Sequence, residues 1–241
     1  MRFIVLFVII YIPSVIACEH TLYGTPLSSD QIICRAGYAV GYNYSRRSAD
    51  WIAYHLTSDV ANGSVERQND FRPDDSIPLI YQAQVNDYLE PIYDMGHLVS
   101  SESLDLTIEL NSETFLLSNI TPQLPGLNRA AWKGLENRER KWATERGEVY
   151  VYVGMLYEGG DIVYINNRIP VPSHFFKVIY DPKTQDSISY LFPHKPIRTS
   201  ELDKYLSSID DIELRSGLNL LSVLDDITEE QLEHIKAIKQ W

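Results

Sequence analysis

The sequence contains one histidine in a short segment that is suited to acid–base chemistry. His97 closes the tetrapeptide Asp94-Met95-Gly96-His97, which follows a polar stretch of the chain. A histidine in such a position can lie exposed beside a ligand, and its ordinary pKa near neutrality suits a general base. Taken alone, the segment does not establish a site, because most single histidines in proteins are not catalytic.

A second candidate is a stripe of side chains on a helix predicted over residues 127–146. Four of these side chains are spaced four residues apart: Asn128, Trp132, Glu136 and Arg140. That spacing places them on one slowly drifting face of a helix. An amide, a carboxylate and a guanidinium on one face could bind a hydrated cation and a phosphate together. Helix geometry alone equally favours an exposed face with a Glu136–Arg140 ion pair.

The elements that would position these residues follow from side-chain periodicity and turn signals. The predicted strands are Ile32–Tyr44, Asp50–Thr57, Phe115–Thr121, Val149–Tyr157, Phe175–Asp181 and Ser187–Phe192. Residues 58–91 are polar but carry recurrent aromatic side chains, which is typical of a long functional loop. Further helices are predicted over 127–146, ending at Gly147, over Ser200–Leu206, and over Thr228–Lys239 with Thr228 as its cap. The chain is therefore expected to form one mixed α+β domain.

Several segments, taken together and in order, resemble the DNA/RNA non-specific endonuclease family. They are Asp50–Thr57, Asp94–His97, Ser118–Gln123, Leu127-Asn128 and Leu135–Arg140. This family includes secreted sugar-non-specific bacterial nucleases and mitochondrial endonuclease G. The resemblance runs from about Cys18 to about Asp225, and it implies a central, mainly antiparallel sheet flanked by helices with a ββα-metal motif. It also implies an endonuclease that cuts DNA and RNA with little regard for sequence.

The resemblance assigns the water-activating and metal-binding roles to three residues. His97 corresponds to the general base of the family. Asn128 corresponds to the direct metal ligand, which is expected to be the only protein group that touches the cation. Glu136 corresponds to the carboxylate that orients metal-bound water. The implied cation is Mg²⁺, with Mn²⁺ as an alternative, because oxygen ligands and retained water suit these ions.

The resemblance assigns substrate contacts and support to four further residues. Arg140 corresponds to the arginine that stabilises charge at phosphorus, and Arg67 most resembles the arginine that binds substrate phosphate. Asn119 corresponds to an asparagine that supports the site and orients the histidine. Asp94 is expected to hold the segment that carries His97.

One position departs from the family pattern. The family motif is usually Asp-Arg-Gly-His, and this chain has Met95 in place of the arginine. Methionine cannot neutralise a phosphate, so one positive contact is expected to be missing. The departure affects substrate affinity and rate more than mechanism, because the base and the metal ligand remain.

The charge of the chain is strongly acidic overall and unevenly distributed. The net charge is −12, which argues against a protein that coats nucleic acid through bulk charge. Residues 127–146 nevertheless carry a net charge of +3, whereas residues 201–241 carry −6. A nuclease requires positive charge only where phosphates lie, although a solvated helix face would show the same pattern.

The first seventeen residues have the pattern of an export signal, with Arg2, an apolar stretch and a small residue at Ala17. The mature chain, 18–241, is then expected to be a single endonuclease domain that is secreted or periplasmic, without a transmembrane helix. Cys18 is expected to form a disulfide with Cys34 in that oxidising compartment. The alternative is a lipid anchor at Cys18, because the preceding residues also resemble a lipoprotein cleavage box.

Three other functions compete with a DNA- and RNA-cleaving enzyme. The first is a catalytically weakened surface protein that binds nucleic acid, which Met95 alone favours. The second is a structural lipoprotein anchored through Cys18. The third is a zinc hydrolase, which is disfavoured because the sequence has no histidine pair with metal-ligand spacing. No stable protein partner is predicted.

Overall fold

The computed structural model describes residues 18–241, so the predicted signal peptide lies outside the described residues. The strands are β1 (Gln31–Cys34), β2 (Ala39–Asn43), β3 (Ser48–Thr57), β4 (Asp94–His97), β5 (Ile120–Gln123), β6 (Glu148–Leu156), β7 (Tyr164–Ile165), β8 (Ile169–Pro170), β9 (His174–Asp181), β10 (Asp186–Pro193) and β11 (Leu206–Ser207). The α-helices are α1 (Ser58–Ala61), α2 (Ile108–Glu113), α3 (Lys133–Arg146), α4 (Ile209–Ser216) and α5 (Asp226–His234). A π-helical segment, Leu127–Trp132, leads directly into α3.

Seven strands form one sheet in the order β1-β2-β3-β6-β9-β10-β11, and every neighbouring pair is antiparallel. Residues of β3 alternate between the two faces of this sheet, as the pleat requires. Ile52 and Tyr54 belong to the apolar cluster on one face, and Trp51 and Ala53 belong to the cluster on the other. The predicted α+β domain with a central antiparallel sheet is confirmed.

Helices cover both faces of the sheet. Trp132, Leu135 and Trp142 of the 127–146 helical segment contribute to the same cluster as Ile52. Residues of α4 and α5, including Ile212 and Leu232, contribute to the cluster on the opposite face. Both faces therefore exclude water, and the helical segment 127–146 is fixed against the centre of the sheet.

A separate two-stranded sheet precedes this helical segment. β4 pairs antiparallel with β5, with His97 opposite Ile120 and Met95 opposite Pro122. Proline lacks an N–H donor, and a two-stranded ribbon tolerates it because each strand has a free edge. β4, β5 and the helical segment together form the ββα arrangement that the sequence implied. Their order in the chain brings His97 beside the start of the helix.

Four local predictions require correction. The segment predicted as one strand over Ile32–Tyr44 is a hairpin of two antiparallel strands, β1 and β2. In the segment predicted as a strand over Phe115–Thr121, Leu117–Asn119 form a 3-10 turn, and β5 begins only at Ile120 and passes through Pro122. The predicted helix Ser200–Leu206 is a 3-10 helix, Thr199–Tyr205.

The predicted helix Thr228–Lys239 is instead α5, which is capped by Asp225 rather than Thr228. The Asp225 side chain accepts a hydrogen bond from the backbone N–H of Thr228, and a carboxylate also favours the positive end of the helix. The helix ends at His234, where Ile235 takes an extended conformation, and the ring of Trp241 farther along packs on that of Trp142 at 5.4 Å.

Cys18 and Cys34 form a disulfide, which confirms the predicted pairing. The sulfur that a lipid would occupy is engaged in that bond, so the structure gives no support to a lipid anchor at Cys18. Within residues 18–241, none of the helices combines the length and apolar character that a membrane crossing requires.

Candidate active site

A polar cleft of about 310 Å³ opens where β4 meets the start of the helical segment. His97, Asn128, Glu136 and Arg67 all line this cleft, although they come from distant parts of the sequence. The structure thus brings together four of the seven residues to which the resemblance assigned roles. Met95 also lines it, together with Ser101, Glu102, Arg129 and Lys133.

The imidazole of His97 is held between aromatic rings at the base of the cleft. Its ring centroid lies 5.4 Å from that of Phe71 and 5.0 Å from that of Phe115. Trp132 donates a hydrogen bond from its indole N–H to the backbone oxygen of His97 at 3.0 Å. Burial, reinforced by the nearby positive charge of Arg67, lowers the pKa of His97 to about 3. The imidazole is therefore neutral at physiological pH and can accept a proton.

The amide of Asn128 is oriented by Asp94. Its Nδ2 donates to Asp94 Oδ2 at 2.9 Å, and Arg129 makes two hydrogen bonds to the same carboxylate, at 2.9 and 2.6 Å. Burial opposes ionisation of Asp94, but the hydrogen bonds from Arg129 and Asn128 hold its pKa below the ordinary value. An ionised carboxylate only accepts hydrogen bonds, so the nitrogen of Asn128 must face Asp94. Its oxygen is consequently left to face the opposite direction and is available to a ligand.

The carboxylate of Glu136 lies buried at the edge of the cleft, two helical turns after Asn128. Burial raises the pKa of Glu136 to about 7, with Lys177 opposing the shift and Glu139 adding to it. A bound cation would favour the ionised form, since an opposite charge stabilises a carboxylate. The cleft therefore offers an amide oxygen and a carboxylate oxygen on one side of one helix.

Arg67 reaches the cleft from the long loop before β4. Its Nη1 donates to Ser101 Oγ at 2.6 Å, and its guanidinium carbon lies 4.8 Å from the centre of the Phe115 ring. The same aromatic ring therefore contacts both the imidazole of His97 and this guanidinium. One face of Arg67 is packed and its charge is directed toward the space in front of His97.

Arg140 and Asn119 do not line the cleft. The guanidinium of Arg140 donates to Glu102 at 2.9 Å and also contacts Asn137. Asn119 is fully buried, where it accepts from the backbone N–H of Val99 and donates to the backbone oxygens of Val99 and Thr114. Asn119 therefore holds the backbone that follows His97 and acts on the histidine only through that backbone.

The structure adds residues that sequence reasoning did not single out. Glu102, Arg129 and Lys133 line the cleft. Arg129 follows Asn128 directly and Lys133 lies one helical turn later. Their position close to Asn128 in the sequence could therefore have identified them as cleft residues. Glu102 had no such signal, because it lies in an irregular loop. Behind the helical segment, Lys177 and Glu139 form a fully buried ion pair at 2.7 Å.

The oxygen atoms of Asn128 and Glu136 in the cleft are of the kind that a hard cation prefers. Within residues 18–241, the only cluster of three His, Cys, Asp or Glu side chains that could hold a metal comprises Asp210, Glu213 and Glu233. That cluster belongs to α4 and α5, on the opposite face of the sheet. The zinc-hydrolase alternative therefore finds no set of histidine or thiolate ligands in the cleft, among the described residues.

Comparison with known proteins places the chain among nucleases. Residues 17–227 match the family model for DNA/RNA non-specific endonucleases. Nuclease C1 of Cunninghamella echinulata var. echinulata is 30% identical over 220 residues, which cover 84% of this chain and 87% of that protein. Human mitochondrial endonuclease G is 32% identical over 215 residues, covering 83% of this chain and 72% of that protein.

The structural comparison agrees with the sequence comparison. A chain in the crystal structure of the EndoG/EndoGI complex superimposes with a TM-score of 0.79 and 28% identity. The superposition covers 86% of this chain and 91% of that chain. With a family match over most of its length, this chain belongs to the DNA/RNA non-specific endonuclease family and is a nuclease of that family.

Proposed function

We propose that this protein is an exported, Mg²⁺-dependent endonuclease that hydrolyses phosphodiester bonds in both DNA and RNA, with His97 as its general base. The observation that carries the proposal is the shared cleft, where a buried neutral imidazole faces the same space as Asn128 and Glu136. A base that is neutral at physiological pH is the form that accepts a proton from water.

The donor atoms of the cleft fit magnesium. Asp94 engages the amide nitrogen of Asn128, which leaves the amide oxygen available, and Glu136 offers a carboxylate on the same side of the helix. Mg²⁺ prefers oxygen ligands and retains much of its water, so one direct protein ligand is sufficient, and Mn²⁺ would be accepted by the same atoms. When bound, the cation would supply Lewis-acid stabilisation of the leaving oxygen.

The remaining steps of the reaction would be carried out by side chains of this protein. His97 accepts the proton of the water that attacks phosphorus, and Glu136 orients water at the site. Arg67 stabilises the negative charge that develops on the phosphoryl oxygens, which is electrostatic stabilisation by a pre-positioned donor. Arg140 joins this role only when it is released from Glu102. Asp94 and Asn119 are positioning residues, since the first orients Asn128 and the second holds the backbone after His97.

The absence of sequence preference follows from the kind of contact that the cleft offers. Its cations are suited to phosphate groups, and contacts to phosphate carry no direct information about bases. No assigned role involves a 2′-hydroxyl group, so DNA and RNA are both expected as substrates.

Export is supported by the Cys18–Cys34 disulfide, because such bonds persist in oxidising compartments. The export-signal pattern of the first seventeen residues agrees with it. Relatives include mitochondrial enzymes, so the compartment requires its own test. The mass of the mature protein, measured without and with reduction, is expected to show an N-terminus at Cys18 and an intact disulfide. A lipid mass on Cys18 would contradict that expectation.

The activity is tested by digestion of supercoiled plasmid and of RNA with purified residues 18–241 across a Mg²⁺ titration and in EDTA. Cleavage of both polymers that disappears in EDTA is expected. Asn128→Ala should lose cleavage at low Mg²⁺, whereas Asn128→Asp should retain part of it because its oxygen can still bind the cation. A protein that binds nucleic acid but cleaves neither polymer would instead be the weakened binding protein that Met95 favours.

A further inference from the structure

A single carboxylate in the cleft pairs with two cations, of which Lys133 lines the cleft and Arg140 lies beside it. Glu102 belongs to the loop that follows β4, and its backbone N–H is tied to Ser100 Oγ at 3.2 Å. Its Oε2 lies 2.9 Å from Nη2 of Arg140, and its Oε1 lies 3.3 Å from Nζ of Lys133. The side chain of Glu102 lines the cleft and is 48% exposed. The carboxylate of Glu102 is therefore accessible to a ligand in the cleft and is not part of the hydrophobic core.

The same geometry explains why Arg140 is absent from the cleft lining. Arg140 projects from the cleft side of α3, is only 17% exposed, and donates to Glu102 rather than to open space. A phosphate that enters the cleft needs the donors that Glu102 now occupies. Guanidinium groups bind phosphate through the same charge-assisted hydrogen bonds that they make to carboxylates, so the two anions compete for one position.

This competition has unusual weight in a chain with a net charge of −12. Most of the surface repels a polyanion, and attraction depends on a few cations at the cleft. Arg129 is already paired with Asp94, and both Lys133 and Arg140 are paired with the one carboxylate of Glu102. Arg67 is the cleft cation whose hydrogen bonds go to the uncharged side chains of Asn69 and Ser101.

We propose that Glu102 is an internal competitor of the substrate: its carboxylate holds Lys133 and Arg140 in the free enzyme, and a substrate phosphate displaces it. Glu102 therefore sets the affinity for nucleic acid and its dependence on salt, and it takes no part in the chemical step. This inference rests on the proposed function, since it assigns Lys133 and Arg140 to the binding of substrate phosphate.

The test compares Glu102→Gln with the unaltered protein. Affinity for a fluorescently labelled DNA duplex is measured by anisotropy in EDTA, at about 50 and about 200 mM salt, where phosphate contacts differ strongly in strength. Glutamine retains the size of the side chain and removes its charge. The variant should bind about three- to tenfold more tightly at low salt, as expected for the loss of two partly exposed ion pairs, with a smaller gain at high salt.

Two controls separate competition from general charge. Glu230→Gln makes the same change in net charge at an exposed position of α5, and it should leave affinity unchanged. Lys133→Gln should weaken binding more in the Glu102→Gln background than in the unaltered protein, because Glu102 no longer masks the lysine. Equal effects of Glu102→Gln and Glu230→Gln would overturn the proposal.

Steady-state cleavage in Mg²⁺ provides the second measurement. Glu102→Gln should lower KM and leave kcat within about twofold, as for a residue that affects binding only. A large fall in kcat, or a higher KM, would show that Glu102 positions Arg140 for the reaction and would contradict the proposal. If the unaltered protein cleaves neither DNA nor RNA, the proposed function fails, whereas the anisotropy data still decide whether Glu102 competes with phosphate.

Discussion

The helical segment Leu127–Arg146 has charged side chains on two sides, and the two sets are held in opposite ways. Toward the sheet, Glu139 is fully buried and accepts from Lys177 at 2.7 Å and from Tyr54 at 2.6 Å. Toward the cleft, Lys133 and Arg140 share the partly exposed carboxylate of Glu102. The first group is closed to solvent, and the second can exchange its partner for a ligand.

The difference shows how one helix serves as both support and binding surface. A buried charge is tolerated only when its partner and hydrogen bonds are fixed, so the Lys177–Glu139 pair allows little movement. Lys177 Nζ also lies 4.8 Å from the centre of the Trp132 ring, and Trp132 donates to the backbone of His97. Exposed pairs contribute little to stability and are easily screened. Charges behind the helix therefore fix the position of the helical segment, while charges in front of it are the ones that we propose to bind substrate.

The largest effect is expected at the cleft. His97→Ala should lower cleavage of plasmid and RNA by roughly 10²–10⁴-fold, the range for a positioned general base, while the protein remains folded. Circular dichroism and a thermal melt check the fold, and initial rates in Mg²⁺ check the activity. His234→Ala removes an exposed histidine of α5 and should retain full activity. Cleavage by His97→Ala within a few-fold of the unaltered protein would show that another group is the base.

A comparable effect on stability, not on chemistry, is expected behind the helix. Lys177→Met leaves the buried carboxylate of Glu139 without its cation, which should lower the free energy of unfolding by about 3–5 kcal/mol. Lys133→Met, on the cleft side of the same helical segment, should lower it by less than about 1 kcal/mol. Urea unfolding of both variants gives the comparison. The double variant Lys177→Met/Glu139→Leu should recover much of the loss, since the charge of Glu139 is removed together with its partner.

Similar losses of unfolding free energy in Lys177→Met and Lys133→Met would contradict the distinction between the sheet side and the cleft side of the helical segment. The same conclusion would follow if the double variant were no more stable than Lys177→Met. In either case the buried pair would have no special role in fixing the helical segment.

The third prediction concerns His97, which faces the cleft but is buried like the groups behind the helix. Its pKa of about 3 in the folded protein lies below the ordinary value for histidine, near 6.5. As pH falls below that value, the unfolded chain binds a proton that the folded chain excludes until about pH 3. The contribution of His97 to stability is therefore complete above pH about 6.5 and is lost on acidification, by about 2 kcal/mol at pH about 5.

His97→Gln cannot take up that proton. Between pH 7 and 5, the variant should lose about 2 kcal/mol less of its unfolding free energy than the unaltered protein. Glu136, whose raised pKa makes an opposite contribution, is present in both proteins. Urea unfolding at the two pH values provides the measurement. Parallel losses in the two proteins would mean that the His97 ring titrates as an exposed histidine does.

The sequence predicted the parts of this arrangement that depend on local pattern or on several matched segments. The helical segment, its end at Gly147 and the convergence of His97 with Asn128 and Glu136 were all predictable. Arg140 was expected on the same face as Asn128, and it does project from the cleft side of the helix. Its guanidinium is held by Glu102, however, and does not line the cleft.

The buried pair behind the helix could not have been predicted in this way. A lysine in an apolar strand such as Phe175–Tyr180 is ordinarily assigned to a solvent-facing position. Lys177 instead faces Glu139, 38 residues earlier, and Tyr54, 123 residues earlier. Contacts of that separation leave no periodic signal in a single sequence, and only the packing of the helical segment on the sheet reveals them.

The smallest effect is expected at Met95, where an arginine would add one positive charge to the cleft side of the helical segment. The Met95 side chain lines the cleft and also packs against the cluster that contains Tyr88 and Ile120. A longer arginine can keep its aliphatic stem on that cluster while its guanidinium reaches the open space. Met95→Arg should therefore bind a DNA duplex more tightly, with a salt dependence steeper by about one unit, as for one added phosphate contact.

Met95→Gln tests shape without charge in the same assays. It should leave the salt dependence unchanged, while both variants lower the melting temperature slightly because apolar contacts are lost. Affinity and cleavage at several salt concentrations, measured beside a thermal melt, distinguish the outcomes. A lower melting temperature for Met95→Arg with no gain in affinity would show that position 95 serves packing alone. The cations already present at Arg67, Arg129 and Lys133 would then supply the phosphate contacts on the cleft side, and added charge would bring no further benefit there.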